Sequence, residues 1–385
     1  MKTKVYLYRH PNYDDSTIID NLNYIFSDTK VLDNLNENSK VFVKLNLLGP
    51  FEPSQACTTH PVILDLVLSI LTKRISPENI IVGDNPAIRD QLVVLKKTKL
   101  LDVIKKYGVK ILNQTDYLVI TCNNPNKFKE FEVSKEIVQN DLIINLPKVK
   151  THSLAYITCA EKNFFGLIYG LNKSAWHTKA PNPNEFGQAI NDLFSAFLDS
   201  RSGKPILSIA DGILGLEGEG PGAGGIPKNS EILLASLDPV SLDRVAVEVM
   251  GLDYKRSFIN TIANERKIGN GELNDIEIVG KEIKDFDDIK FLAPKDSLSN
   301  VGLRILRIKA LKGFLLEHPK INKDKCIKCG ECTRICPQKT MVIKKGKYPS
   351  LTVRNCIRCW CCAEVCPQNA ISKSKRPLIG RIVLK

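Results

Sequence analysis

Of the 12 cysteines in this chain of 385 residues, eight fall near the C-terminal end in two copies of one spacing. Cys326, Cys329, Cys332 and Cys336 precede Pro337, and Cys356, Cys359, Cys362 and Cys366 precede Pro367. An iron–sulfur cubane needs four thiolates converging from different directions. Two-residue gaps wrap three of them around one corner, and the fourth must come from elsewhere. In the two-cluster arrangement the cysteine before each proline ligates the other cluster. The spacing therefore predicts two [4Fe–4S] clusters, one on Cys326, Cys329, Cys332 and Cys366, the second on Cys356, Cys359, Cys362 and Cys336. Structural zinc also uses paired C-x2-C sites, but normally without the third close cysteine and the following proline.

The flanks repeat as well, CIKCGECTRICPQKT being answered by CIRCWCCAEVCPQNA, which marks an internal duplication. This segment resembles the bacterial two-[4Fe–4S] ferredoxin family over roughly residues 321–374. Cys361 sits beside the second set, where it is an idle neighbouring thiol or an exchange ligand for Cys362. Cys57, Cys122 and Cys159 are scattered and read as small buried hydrophobes.

The net charge of +13 lies wholly in that tail: residues 320–385 hold 16 Lys or Arg against 3 Asp or Glu, leaving 39 of each in residues 1–319. Oxidised clusters with four thiolates are anionic and cancel part of this excess. The remaining positive charge favours the reduced form and suits an acidic redox partner protein. Nucleic acid is not the expected partner, because stacking aromatics are few and no recognition helix is visible. The opening MKTKVYLYRHPNYDD lacks an apolar signal core, and no stretch approaches the roughly 20 apolar residues of a transmembrane segment. The longest apolar run, Val62 to Leu71, contains Asp65. Thiols that hold clusters also need a reducing compartment, so a cytoplasmic protein is expected.

Elements must position any further chemistry. Residues 1 to about 285 alternate short apolar runs with helical patterns: KVFVKLN, PVILDLVLSILTKR, NIIVGD, then a helix from about Ala87 to Tyr107. This rhythm predicts an α/β fold, a mainly parallel sheet with covering helices, to which a small C-terminal α+β ferredoxin-like domain is added. Further strands are expected at Leu142–Asn145, Ile206–Ile209 and Ile232–Ala235, with helices near 186–200 and 240–250. The expected division is 1–285 for the α/β domain, 286–320 for a linker with an amphipathic helix, 321–374 for the ferredoxin domain and 375–385 for a basic tail. The linker helix, at 300–316, puts Leu303, Leu306, Leu311 and Leu315 near one face among basic residues, an arrangement suited to docking on the large domain or to resting on a membrane.

Polar residues follow the carboxyl ends of these strands, where open parallel sheets form their ligand crevice. Lys44 and Asn46 end one strand and Asp84 the next. Lys148, Lys150 and His152 follow another, Asp211 ends ILSIAD, and Ser236 and Asp238 end EILLASLDP. His60-Pro61, Asn85-Pro86 and Asp238-Pro239 have the cap-and-proline form of helix starts, whose free N–H groups favour an anion. In KVKTHSLAYITCAEKNFFG, Lys162 and Asn163 close a short helix before Gly166; a buried lysine there could hold a carboxylate or phosphate, or donate a proton. Residues 210–225, ADGILGLEGEGPGAGG, carry Asp211, Glu217 and Glu219 among glycines and read as a mobile loop or lid. Plain capping accounts equally for Asp238 and Asn85, and lone histidines such as His177 are more often structural. The glycine pattern matches no phosphate loop, and no flavin or nicotinamide signature is present.

The succession VFVKLNLLGP, CTTHP, VGDNP, LPKVKTHSLAYITCAEKNFFG, IADGILGLEGEGPGAGG and ASLDPVSLDRVAVEVMG resembles the family catalogued as domain of unknown function 362, over roughly residues 35–255. That family often carries ferredoxin modules, and the resemblance implies a fold and a family but no activity. The expectation from the residues is electron transfer from the clusters to an anionic small molecule or cofactor. Lys150, His152, Lys162 and Asp211 are the expected catalytic groups; Lys44, Asn46, His60, Asp84, Asn163, Glu217 and Asp238 are the expected binding groups. The alternative is a non-enzymatic electron carrier or cluster-handling factor that binds a client protein.

Overall fold

The computed structural model describes residues 2–86, 90–169, 172–295 and 315–379. Its strands are β1 (Thr3–Arg9), β2 (Val41–Lys44), β3 (Ile80–Gly83), β4 (Lys110–Ile111), β5 (Tyr117–Thr121), β6 (Glu130–Ser134), β7 (Leu142–Asn145), β8 (Lys148–His152), β9 (Tyr156–Thr158), β10 (Ile206–Gly218), β11 (Gly225–Ser236), β12 (Ile276–Gly280), β13 (Pro319–Ile321), β14 (Met341–Val342), β15 (Ser350–Leu351) and β16 (Ile371–Lys373). The central sheet runs β12-β1-β11-β10-β7-β2-β3-β4, with β8 attached to β10 and β9 to β8.

The short strands VFVK and LIIN are buried at every position because both faces of the sheet are covered. Alternation assigns their side chains to two cores. Val41 and Val43 of β2, with Leu142 and Ile144 of β7, pack under the helices Thr17–Thr29, Pro61–Leu71, Gln91–Lys97 and Leu100–Tyr107. Phe42 and Ile143 face the other way, onto the helix Pro183–Arg201 and the β5–β6 hairpin. Farther along that face, Val5, Leu7, Ile232 and Leu234 meet the helix Pro239–Val249 together with Phe286, Ile289 and Phe291, so packing of the large domain continues past residue 285. The single helix expected from Ala87 to Tyr107 is two, divided at Lys99, whose φ is +61°; Ala87 to Arg89 lie outside the described residues.

β2, β3, β4, β7 and β10 run parallel, so their carboxyl ends share one rim. β11 is antiparallel to β10 and to β1. The glycine-rich segment 210–225 is therefore no loop or lid: all but 219–224 belongs to a long β10–β11 hairpin. Its outer part extends beyond the sheet, pairing Glu217 with Ile226 and Gly218 with Gly225.

The C-terminal module is a repeat with an offset of 30 residues. Single helical turns at Glu331–Arg334 and Cys361–Glu364 each follow a left-handed residue, Gly330 and Trp360. Lys328 and Arg358 share positive φ at equivalent places, as do Lys339 and Asn369. β13 pairs with β16 and β14 with β15, both antiparallel. Of the predicted linker helix, Leu303, Leu306 and Leu311 lie outside the described residues, while Leu315 and Leu316 are buried. Among the described residues no helix is long and apolar enough to cross a membrane.

Candidate functional site

A polar network crosses the carboxyl-end rim of the sheet. Lys44 Nζ donates to Asp84 Oδ1 at 2.8 Å and to the Leu45 carbonyl at 2.7 Å. Asp84 in turn accepts the Leu47 N–H. Burial raises the Asp84 carboxyl, and the opposing charges of Lys44 and Lys173 overcome this, leaving it below the usual range. Lys150 Nζ donates to Asn46 Oδ1 at 2.7 Å and to the Cys57 carbonyl at 2.8 Å. Asn46 donates to Asn163, which donates to Asn145, which donates to Ser208. One rotamer of each amide thus locks the next, and the rim is set before any ligand arrives.

Next to this network lies a cavity of about 100 Å³. Asn46, Asp84, His152, Lys162 and Asn163 line it from the sheet side, Lys173 and His177 from the helix Asn172–Lys179, and Ile335, Cys361 and Glu364 from the cysteine module. The site is therefore built at the seam between the two parts of the chain. A second cavity of about 270 Å³ adjoins it along the same seam, lined by Ser153, Trp360, Glu364 and Lys373.

Burial sets the charge of this region. It pushes the Lys150 ammonium down to about 7 and Lys173 down to about 8, and lowers Lys162. It pushes the Glu364 carboxyl up to about 7 against the pull of Lys162 and Lys150. His177 falls to about 3 and His152 well below its ordinary value, so both imidazoles are neutral. His152 Nδ1 accepts the N–H groups of Leu154 at 3.0 Å and Ala155 at 3.2 Å. Its proton must then sit on Nε2, which faces Glu364 Oε1 at 3.9 Å.

The cysteines of the two copies lie close enough to act on one another's thiols. The Cys332 thiol is pushed up to about 12 by burial and then by Cys329, Cys366 and Cys326. Cys362 is raised by burial and by Cys359, Cys356, Cys332 and Cys336. Such mutually repelling thiols suit a metal centre that stabilises them as thiolates. Among the described residues no three His, Cys, Asp or Glu groups close on a single ion, and a cubane keeps its thiolates farther apart than one tetrahedral ion does. Backbone N–H groups address the two crossing sulfurs equivalently, Thr340 to Cys336 at 3.3 Å and Ala370 to Cys366 at 3.2 Å. Such bonds tune cluster potential. The donor set thus fits an iron–sulfur group. Cys361 lies against Cys359 and Cys362, its Sγ directed at the Cys359 carbonyl, and its side chain also forms part of the cavity wall.

Several sequence-expected residues lie elsewhere. Asp211 is fully buried between Lys148 Nζ at 2.7 Å and the Tyr13 hydroxyl at 2.8 Å, an internal ion pair outside the cavity lining. His60 caps the helix Pro61–Leu71 and stacks on Tyr13 with ring centroids 3.5 Å apart. Glu217 lies on the outer hairpin, accepting the Leu292 N–H and facing Lys228. Asp238 caps the helix Pro239–Val249 at the opposite rim, because antiparallel β11 carries its carboxyl end away from the others. Asn85 begins no described helix; its amide donates to Ser134 and Gly166. Lys173, Thr158 and Glu364 were not anticipated as lining residues, and His177 was expected to be structural. Glu364 alone had a signal, its place between Cys362 and Cys366.

A family model described as a domain of unknown function (DUF362) matches residues 41–248, and one described as a 4Fe-4S dicluster domain matches residues 318–367. The chain belongs to the DUF362 family. This DUF362 protein carries a 4Fe–4S module of the ferredoxin type behind its family domain. It is 28% identical over 271 residues to a thylakoid-associated protein of Synechocystis, the match covering 70% of this chain and 80% of that protein. Among solved structures, the lactate racemase apoprotein of Thermoanaerobacterium thermosaccharolyticum matches with a TM-score of 0.37 at 13% identity, over 66% of this chain and 58% of that one. A Thermotoga maritima protein matches with a TM-score of 0.33 at 12% identity, over 54% of this chain and 53% of that one. The DUF362 chain thus spans little more than half the length of either solved structure.

Proposed function

We propose that this chain holds two [4Fe–4S] clusters, one on Cys326, Cys329, Cys332 and Cys366 and one on Cys356, Cys359, Cys362 and Cys336, and passes electrons to an anionic small molecule in the seam cavity. Clusters bound there supply one-electron transfer. The observation that carries the reading is the turn Cys361–Glu364. It contains Cys362, and its Cys361 and Glu364 side chains wall the cavity opposite His152 and Lys162. Lys162 and Lys173 offer positive charge to the ligand and His152 Nε2–H a neutral donor, while Lys150, near its midpoint of protonation, holds the Asn46 amide that lines the cavity.

The other end of the module suits the arrival of electrons. Lys323, Lys325, Lys328, Lys344, Lys345 and Lys347 are exposed, and Lys323 and Lys328 lie over the Tyr348 ring. Ile327, beside Cys326, is 60% exposed. A basic rim around an apolar centre fits an acidic redox partner protein.

The test is anaerobic isolation with iron analysis and electron paramagnetic resonance, followed by mass spectrometry of the ligand released by acid. Adding that released fraction to dithionite-reduced protein should reoxidise the clusters, and His152→Ala should slow this without altering the resonance signals. Reoxidation at full rate in the variant would put the acceptor elsewhere. A carrier that serves a client protein would then be the better reading.

A further inference from the structure

The seam cavity is small, and its unpaired charge is predominantly positive. Of the two acidic residues on its wall, Asp84 is tied to Lys44 at 2.8 Å and only Glu364 lacks an ion-pair partner closer than His152. Against it stand Lys162, for which no hydrogen-bond acceptor is in reach among the described residues, and Lys173, which reaches only the Asn85 carbonyl. Lys162 instead lies 5.8 Å from the Phe165 ring centroid and 5.9 Å from that of Phe186, with its charge turned to aromatic faces. Three polar atoms of the lining are buried without a hydrogen-bond partner: Thr158 Oγ1 and His177 Nδ1, on residues 4% and 6% exposed, and Glu364 Oε1, the carboxylate oxygen that faces His152. A buried hydroxyl or imidazole nitrogen in that condition costs free energy unless a ligand satisfies it.

Size limits what that ligand is. Pockets for drug-sized ligands run to roughly 300–1,000 Å³, and this one is about 100 Å³. The space suits a small anion of few heavy atoms.

We infer that the seam cavity is a site for a small oxyanion, a short carboxylate or an inorganic oxyanion, held between Lys162 and Lys173 with Thr158, His152 Nε2 and His177 Nδ1 as its hydrogen-bonding partners. Its role as electron acceptor rests on the electron-transfer reading above; its binding does not.

Calorimetric titration of the cluster-loaded full chain under anaerobic conditions tests the site, with sodium formate, nitrite, sulfite and phosphate added separately against a chloride background of equal ionic strength. At least one should bind saturably at one site per chain, with Kd between tens of micromolar and about 1 mM, the range open to so few atoms. Formate binding alone identifies a carboxylate site, and nitrite, sulfite or phosphate binding an inorganic one. Lys162→Met and Thr158→Val should each weaken binding at least tenfold, with melting temperature and resonance signals retained, while Lys73→Gln, exposed and outside the lining, changes nothing. Two variants at separate positions guard against a folding defect in one. No binding above chloride, or undiminished binding in both folded variants, overturns the site. An anion that binds yet leaves reduced clusters unoxidised keeps the site and removes only the acceptor role.

Discussion

His152 Nε2 lies 3.9 Å from Glu364 Oε1, the one on the strand that leaves the sheet rim, the other on the helical turn that carries Cys362. The two approach because the hairpin tip is thin. A Cβ at Gly222 would stand 2.3 Å from the Glu364 carbonyl, so only glycine lets the turn 219–224 seat the module this closely.

Gly222→Ala should therefore separate the module from the rim and leave its own cysteine geometry intact. Resonance signals are expected unchanged, while delivery of electrons into the cavity slows. Stopped-flow reoxidation of reduced protein measures it. An unchanged rate would mean the seam is not on the electron path.

Crossed ligation makes a prediction that simple sequence blocks do not. Cys366→Ser should strip a ligand from Cys326, Cys329 and Cys332, and Cys336→Ser from Cys356, Cys359 and Cys362. Each is expected to cost about half the iron, with loss of spin coupling between the two centres. Cys361→Ser should lose none. Iron analysis with electron paramagnetic resonance on the three variants decides the assignment.

Asp84→Asn should be costly and Lys162→Met should not. The first leaves the fully buried Lys44 ammonium without its carboxylate, a loss of about 3–5 kcal/mol for a broken internal pair. The second removes a buried cation that makes no hydrogen bond in the rim network, so stability should hold or rise by about 1 kcal/mol while ligand affinity drops. Urea denaturation of both variants gives the comparison.

The pH dependence follows from Lys150, whose ammonium burial lowers from 10.5 to about 7. Its charged form is present below that value, so ligand binding and turnover should decline as pH rises through 7. Stability moves the other way. Between pH 7 and 10.5 the unfolded chain keeps a proton that the folded chain has released, so folding becomes more favourable as pH rises across that window. Lys44, Lys148, Lys162 and Lys173 are lowered by burial too and add in the same sense. Lys150→Met should flatten part of the slope, measured as the change in denaturation midpoint between about pH 7 and pH 9.

The residues alone were sufficient for the 4Fe–4S module, its duplication and the α/β rhythm, because each rests on local spacing: cysteine gaps of two residues, apolar runs of four, caps before proline. They also singled out Asn46 and Asp84, which follow the carboxyl ends of parallel β2 and β3, His152, which ends β8 beside β10, and Lys162 and Asn163 on the short helix after β9. Strand direction is where local reading stopped. The run 225–236 has the composition of its parallel neighbours, and only pairing across the hairpin reverses it and carries Asp238 to the far rim. The glycines of 210–225 suggested a lid, yet their lack of side chains permits close strand packing instead, as at Gly212 against Val149 and Ile232.

What only the tertiary structure decided is which distant groups share a space. Nothing near Lys173 or Thr158 in sequence marks them as neighbours of Glu364, more than 180 residues away, because that contact depends on how the module is seated. Charge depends on the same seating. Whether Lys150 titrates near 7 or near 10.5 is determined by the atoms packed around it, a property of the folded surroundings and not of the lysine.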